Sequence, residues 1–275
     1  MGKSGWKYYN YATIPDCAPH EKLDILPVTN GEIWNIDSRR ILLARWTTDF
    51  DCGYDTQWYF LIKDTAFDIN AVNAKRRYEI NKGNKNFLFK KVDLEVDSDI
   101  LFDVHISATK TYGGATQQSK DDFLSYIHSC IDNGEDVFGA YLRENGRLCG
   151  YSILLDKGSY ISFVSQKADP EYEKLGLNAA LVYGICEYYC EDLKNGKYIC
   201  DGEKSILHTT AFQGYLEKYF QFRKAYCKLN IKFCKPVGII LTLLFPFRKS
   251  IYRINSLRKV SGMLKMKEIV KNYKL

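Results

Sequence analysis

Apolar residues recur along this chain with two periods, and the switches between them mark its elements. Residues 32–47, EIWNIDSRRILLARWT, read as two strands around a polar Asp-Ser-Arg turn. QWYFLIKD, 57–64, is a third strand after the loop-like TDFDCGYD. INAVNAKRRYEINKGNKNF then predicts a basic helix, with Asn at its start and Gly83 near its end as caps. FLFKKVDL, 87–94, predicts a strand, and DSDILFDVHISATKTY, 97–112, an amphipathic helix. SKDDFLSYIHSCIDNG, 119–134, is another helix, opened by Ser119 with acids in its first turn and closed by Gly134.

Three strands follow in close order, DVFGAYLRENG, RLCGYSILLDKG and YISFVSQ, with ENG and DKG as hairpin turns. Residues 171–194 predict a helix and KYICDG a strand. HTTAFQGYLEKYF, 208–220, predicts a helix capped by Thr209 or Thr210, and RKAYCKLNIKFC, 223–234, a final strand or hairpin. The fold class is therefore α+β (mixed α/β): antiparallel strands first, then one βαβ crossover. The expected organisation is a strand-rich extension over 1–70, a main domain over 71–234 and a tail over 235–275.

Composition sharpens one part of this picture. The formal net charge is +6, yet residues 235–275 hold ten Lys/Arg and one acid, so the tail carries +9. The preceding residues hold 29 basic and 32 acidic side chains and sum to −3. A slightly acidic body argues against a nucleic-acid groove and against DNA as a partner. In the tail, VGIILTLLFPF (237–247) is too short to span a bilayer and is broken by Pro246. Ile251, Ile254, Leu257, Val260 and Leu264 fall near helical spacing with Arg and Lys between them. That is the pattern of a helix lying on an anionic membrane surface, so contact through residues 237–274 is one expectation. A helix packed on the body is the other.

Nine cysteines are scattered without a Cys-x-x-Cys pair, and the four histidines stand apart from one another. Neither arrangement suits zinc, so no metal is expected and reduced thiols are the default. The N-terminus has no signal-peptide core, which leads to a cytoplasmic expectation, peripheral at the inner face of a membrane if the tail binds lipid.

Candidate chemistry concentrates at the crossover. Gly176 lies in KADPEYEKLGLNAALVYGICEYY (167–189), between a strand and a helix. A helix N-terminus offers free N–H groups and partial positive charge, and glycine lets backbone approach a phosphate. Lys167 and Lys174 would add charge. The other reading is that Gly176 relieves a helix–sheet contact. Neither G-x-x-x-x-G-K-[ST] nor G-x-G-x-x-G occurs.

The run VFGAYLRENGRLCGYSILL, then YISFVSQ, then a turn and helix, resembles the core of the GNAT acyltransferases, and YICDGEKS with TTAFQGYLEKYFQFRKAYCKL resembles that fold's closing elements. The KRRYEINKGNKNF helix is similar to one in the Fem-like branch. The resemblance covers about residues 70 to 234. It implies an acyl-CoA N-acyltransferase fold and an enzyme that moves an acyl group from acetyl-CoA or another acyl-CoA to a small amine, such as an amino sugar or a cell-envelope precursor. The family's cradle, Gln/Arg-x-x-Gly-x-Gly/Ala, stands here as Glu173-Lys174-Leu175-Gly176-Leu177-Asn178, with an acid in the first position. By resemblance, donor-binding residues are Ser165, Gln166, Lys167, Ala168, Lys174, Leu175, Gly176 and Asn178, and a backbone N–H between Ser165 and Ala168 meets the thioester oxygen. Base candidates are Asp201, Glu203 and His208, which follow the penultimate strand. Acid candidates for the leaving thiolate are Tyr215 and Tyr219, four apart on one helix face. Arg76 and Arg77 suit an anionic part of an acceptor. Two alternatives follow from the same resemblance: aminoacyl transfer from a charged tRNA, and a non-catalytic GNAT-like scaffold docked to a membrane or partner through the tail.

Overall fold

The computed structural model describes residues 5–110, 118–206 and 211–273. Its first elements are β1 (Trp6–Tyr9), β2 (Ala12–Pro15), a short helix α1 (Leu26–Asn30), β3 (Leu43–Thr48) and β4 (Tyr59–Lys63). Then come α2 (Ala74–Asn86), β5 (Phe87–Lys91), α3 (Leu94–Thr109), α4 (Lys120–Asp132), β6 (Glu135–Leu142), β7 (Leu148–Asp156) and β8 (Ile161–Ala168). The crossover holds α5 (Leu177–Tyr188) and α6 (Cys190–Lys194), and leads to β9 (Ile199–Glu203) and α7 (Ala211–Phe220). The chain closes with β10 (Arg223–Tyr226), β11 (Lys228–Phe233), α8 (Lys235–Leu244), α9 (Arg248–Ile251) and α10 (Arg258–Asn272).

Two compact units emerge, one of Met1–Leu61, Glu203–Phe212 and Lys224–Leu275, the other of Ile62–Gly202 and Gln213–Arg223. A seven-stranded sheet runs in the order β10-β4-β9-β8-β7-β6-β5, and β5 to β8 lie wholly in the second unit. Those four strands are antiparallel, with Phe87 opposite Leu142, Val137 opposite Ile153 and Ser152 opposite Gln166. Strand alternation sends Val137, Tyr141 and Ile153 to one face, where Leu101 and Val104 of α3 and Phe123, Ile127 and Cys130 of α4 cover them. Phe87, Ala140 and Leu142 face the other way and meet Leu177, Ala180 and Leu181 of α5. Helix starts follow the sequence signals. Asn73 Oδ1 accepts from Arg76 N (2.9 Å), and Ser119 Oγ accepts from Asp122 N (3.2 Å).

The predicted helix over 171–194 is three pieces. A 3-10 turn over Pro170–Leu175 starts under the Asp169 carboxylate, α5 begins after Gly176, and α6 follows Tyr189. The break is forced at Gly176, whose φ of +87° is a left-handed conformation.

The first unit carries a smaller sheet, β1-β2-β3-β11, in which Leu43–Thr48 pairs antiparallel with Phe233–Lys228. Only the second of the two strands expected in 32–47 forms. Glu32–Trp34 is a 3-10 turn because Ile33 and Trp34 pack with Trp6, Val28 and Ala44. The Arg39 guanidinium closes the next segment on Asp37 through bonds of 2.8 and 2.7 Å. RKAYCKLNIKFC is likewise not a hairpin. Cys227 N donates to Trp58 O (3.0 Å), and the chain then leaves the large sheet for β11 in the small one.

In the tail, Leu241, Ile251 and Leu264 form a buried cluster with Phe233, Val237, Leu244, Phe245 and Val260 around it. The stripe expected from 251 to 264 is therefore mostly a packing face, since Ile251 and Leu264 are buried and only Ile254 and Leu257 are exposed. The helical run is also interrupted between α9 and α10.

Candidate functional site

β8 and β9 pair in parallel at Ile161–Ile199 and Ser162–Cys200, and the ladder ends there. Beyond those pairs β8 runs on to Ala168 and β9 to Glu203 without pairing to each other, and this unpaired stretch, the β8–β9 opening, lies at the carboxyl ends of two parallel strands, where ligands of such sheets bind. A bulge at Ile153/Leu154 in the β7–β8 ladder leaves Val164 without an opposite residue and resets the strand just before this opening.

The register assigns the amides of the upper part of β8. Asp169 N donates to Cys149 O on β7 (2.9 Å). Amides alternate between the two edges of a strand, so those of Lys167 and Ser165 also face β7. The amides of Gln166 and Ala168 point to the opposite edge, into the opening.

Side chains on the α5 face form a polar chain. Ser152 Oγ donates to Gln166 Oε1 (3.1 Å), Gln166 Nε2 to Asn178 Oδ1 (3.0 Å), and Asn178 Nδ2 to Glu173 Oε1 (3.5 Å). Gln166 is thereby tied both to β7 and to the first turn of α5. On the β9 side, Asp201 stands where the ladder has ended. Burial pushes its carboxyl up to about 7, against a hydrogen bond from Gln213 that acts downward. Gln213, in the first turn of α7, also reaches Asp201 O at 3.5 Å.

Further along α7, Tyr215 and Tyr219 meet edge to face, 5.5 Å between centroids. Both rings lie under the Arg76 guanidinium of α2, at 5.5 and 3.4 Å. Arg76 is buried and ion-pairs with Glu79 at 2.5 Å. Burial raises Tyr215, whereas Lys218, and then Arg76, lower Tyr219. A cavity of about 240 Å³ opens here, lined by Asn73, Lys75, Arg76, Glu79, Lys218 and Tyr219. Arg77 is occupied elsewhere: its Nη2 donates to Asn70 O and Val72 O, both at 3.2 Å.

Gly176 has a packing role that the chain's local sequence hides. A Cβ there would come within 2.8 Å of Gly83 N and 2.9 Å of Glu79 O. A Cβ on Gly83 would lie 2.6 Å from Gly176 O. Helix α2 crosses the start of α5 at these two glycines, backbone against backbone. Lys174 is exposed in the 3-10 turn, and Leu175 O accepts from Asn86 Nδ2 of α2 (3.1 Å).

Of the expected residues, the structure brings Gln166, Asn178 and Glu173 into one chain and sets Asp201 across the β8–β9 opening from β8. Lys167 points to the opposite face of the sheet. Its amine, lowered by burial, acts on His105 of α3, whose own pKa is lowered first by burial and then by Lys167. Glu203 is committed to an ion pair, Arg45 Nη1 to Oε2 at 3.0 Å, and burial raises it while Arg45 opposes. His208 lies outside the described residues. His105 and Tyr151 were missed by sequence reasoning. His105 Nδ1 and Tyr151 Oη share a hydrogen bond of 3.0 Å, and Ser107 Oγ donates to Asp169 Oδ1 (3.0 Å) beside the crossover. The signal was weak, a His105 and Ser107 pair near the end of an amphipathic helix that carries other polar residues. Among the described residues no group of three or more His, Cys, Asp or Glu side chains is placed to hold a metal ion.

No protein-family model matches the sequence, and no curated protein matches it significantly. Solved structures do resemble it. FemX superposes with a TM-score of 0.57 at 8% identity, over 87% of this chain and 85% of that one. The C-terminal DUF2156 domain of a lysylphosphatidylglycerol synthetase from Agrobacterium fabrum gives 0.51 at 12% identity, over 87% and 84%. A GNAT-family acetyltransferase from Staphylococcus aureus Mu50 matches 48% of this chain and 81% of its own, at a TM-score of 0.36. The fold is GNAT-like. At these identities the likeness describes architecture, and the chemistry has to be argued from the residues.

Proposed function

We propose that this chain is an acyltransferase that passes an activated acyl group to an amine in the β8–β9 opening. The observation that carries the reading is Asp201, a carboxyl held near neutrality by burial at the carboxyl end of a parallel pair whose ladder has ended. A base of that pKa suits removal of a proton from an amine at neutral pH. The amide of Gln166 or Ala168 donates to the acyl oxygen as charge develops on it. The amine nitrogen bonds to the acyl carbon, the carbon–sulfur or carbon–oxygen bond to the leaving group breaks, Asp201 takes the amine proton, and Tyr219 or Tyr215 protonates the leaving group. Glu203 has a structural role in this scheme, because Arg45 already neutralises it.

Acyl-CoA is the first donor to test, with its pyrophosphate at the start of α5 near Lys174 and Asn178. One observation favours the second reading, an aminoacyl ester carried on RNA. Glu173 reaches Asn178 at the N-terminal end of α5, so a carboxylate already sits where a pyrophosphate would seek the helix dipole. The name of one structural relative, a lysylphosphatidylglycerol synthetase, contains an aminoacyl group and agrees with that alternative.

The experiment is calorimetric titration of the purified protein with coenzyme A, a short acyl-CoA series and charged tRNA, followed by amine-acceptor turnover with whichever donor binds. Asp201→Asn should retain donor affinity and lose about 10²-fold or more in kcat. Unaltered turnover in this variant removes Asp201 from the mechanism, and absence of binding by every donor leaves the scaffold reading.

A further inference from the structure

Helix α8 is apolar on two sides. Leu241 is buried, and Val237, Leu244 and Phe245 pack around the same tail cluster. Thr242 is turned toward α10, where Lys267 Nζ donates to its Oγ1 at 2.8 Å. The remaining side presents Ile239, Ile240, Leu243 and Phe247, exposed by 64, 54, 69 and 66%. Their spacing, with 239, 243 and 247 four apart, places them in one outward stripe that continues into the Phe-Pro-Phe turn. A surface helix ordinarily shows water a polar face, so this stripe calls for a partner.

The charges around it select the partner. No Asp or Glu occurs between Glu217 and Glu268. Glu268 is itself engaged, accepting from Arg248 Nε (2.6 Å) and Tyr252 Oη (3.0 Å). Lys235, Lys249 and Arg253 at the ends of the stripe are exposed. The ten residues of α8 make a rod of about 15 Å, half of a hydrocarbon core of about 30 Å, and no described helix is long and apolar enough to cross a membrane.

We propose that the outer face of α8 and the turn after it dock the protein on an anionic lipid bilayer. Ile239, Ile240, Leu243 and Phe247 enter the acyl boundary, and Lys235, Lys249 and Arg253 lie among the headgroups. The docking face is thus α8, and the 251–264 stripe takes mainly the packing role that was its other expectation.

The test is co-sedimentation of the full chain with vesicles of phosphatidylcholine plus phosphatidylglycerol, and with phosphatidylcholine alone. Wild-type protein should bind the mixed vesicles and lose binding as salt is raised. Leu243→Asp/Phe247→Asp should weaken binding by at least about 100-fold. Lys249→Gln/Arg253→Gln should weaken it by about 30-fold, at about 1 kcal/mol per basic residue. All four positions are solvent-exposed or at the surface, and thermal melting confirms that each variant is folded. Absence of wild-type binding to mixed vesicles, or equal binding to neutral ones, overturns the proposal. So does a wild-type dimer in light scattering that the Asp double variant dissolves without any vesicle binding, because the face would then belong to a second copy. None of these readouts depends on catalytic activity.

Discussion

Replacing Gly176 by alanine tests whether this residue serves packing or ligand. The new Cβ would stand 2.8 Å from Gly83 N, 2.9 Å from Glu79 O and 3.0 Å from Gly83 Cα, all backbone atoms of α2. Holding a non-glycine residue at φ +87° costs about 1–3 kcal/mol. Forcing α2 away from α5 costs about 1–3 kcal/mol more, by analogy with other overpacked sites. The sum, about 2–6 kcal/mol, is a large part of the stability of an ordinary domain. Gly83→Ala makes a sharper companion. Gly83 is mid-helix with an ordinary φ, so alanine there would add about 1 kcal/mol if space were open. Its Cβ instead meets Gly176 O at 2.6 Å and Ala180 N at 3.1 Å, and the variant should be destabilised. Once either substitution has moved the helices apart, the second costs less, so the double variant should fall short of the summed losses by at least about 0.5 kcal/mol. Urea unfolding followed by circular dichroism measures all three, with midpoint shifts of about 1–3 M expected for Gly176→Ala. A stabilised Gly83→Ala, or a Gly176→Ala protein of wild-type stability that has lost donor binding, refutes the packing argument and returns Gly176 to a phosphate cradle.

Asp201 carries two opposite pH dependences. As a base it works ionised, so kcat/KM should rise through about pH 7, a limb that Asp201→Asn abolishes. For stability, the folded state keeps the proton up to about 7 whereas the unfolded chain releases it near its ordinary value of 3.8, so its contribution declines as pH rises between those values, by up to about 4 kcal/mol. Asp201→Asn should therefore be more stable than wild type at pH 8 and about equal near pH 4, by urea unfolding; the reverse order would exclude a raised Asp201. Arg45→Met should cost about 1–3 kcal/mol at neutral pH by removing the ion pair with Arg45 from a largely desolvated Glu203. Acid should shrink that deficit and Arg45→Met/Glu203→Gln should largely erase it, and a loss of similar size in the double variant would mean that the arginine acts by packing alone. Tyr219→Phe should reduce kcat more than Tyr215→Phe, since the Tyr219 hydroxyl is lowered, first by Lys218, whereas burial raises that of Tyr215; equal effects in steady-state kinetics would separate that shift from catalysis.

The order of elements between α2 and β11 was legible because its signals are local. Periodicity changes at each boundary, and Asn73 and Ser119 bond the backbone within three residues. The place of Asp201 at the end of a strand after a crossover was legible for a related reason, and its proposed role as base starts from that position. What pattern could not show was everything decided by distant partners. Gly176 owes its missing Cβ to Gly83, 93 residues earlier, and nothing around LGLNAAL distinguishes contact with a helix from contact with a phosphate. Glu203 looked like Asp201 until Arg45 was placed against it. Lys167 looked like part of a cradle, yet its cross-strand position opposite Tyr151 sends its side chain toward His105.

The tail makes the same point with the sign inverted. Both VGIILTLLFPF and the 251–264 stripe are apolar segments among cations, and helical spacing alone left the second equally suited to lie on a membrane or to pack on the body. Packing won, because β11 ends at Phe233 and delivers α8 directly onto the cluster of Leu241, Ile251 and Leu264. A ten-residue helix can bury only one side on such a small cluster, and the exposed positions of VGIILTLLFPF are Ile239, Ile240, Leu243 and Phe247 beside only Thr242 and Pro246. Water gives no reason to keep that composition on an exposed helix face, since Lys, Gln or Glu would be accommodated as well, with a helix propensity equal to that of Leu and above those of Ile and Phe. A bilayer does give one, and the absence of any acid from Lys218 to Lys267 is what an anionic surface requires of the residues around such a stripe.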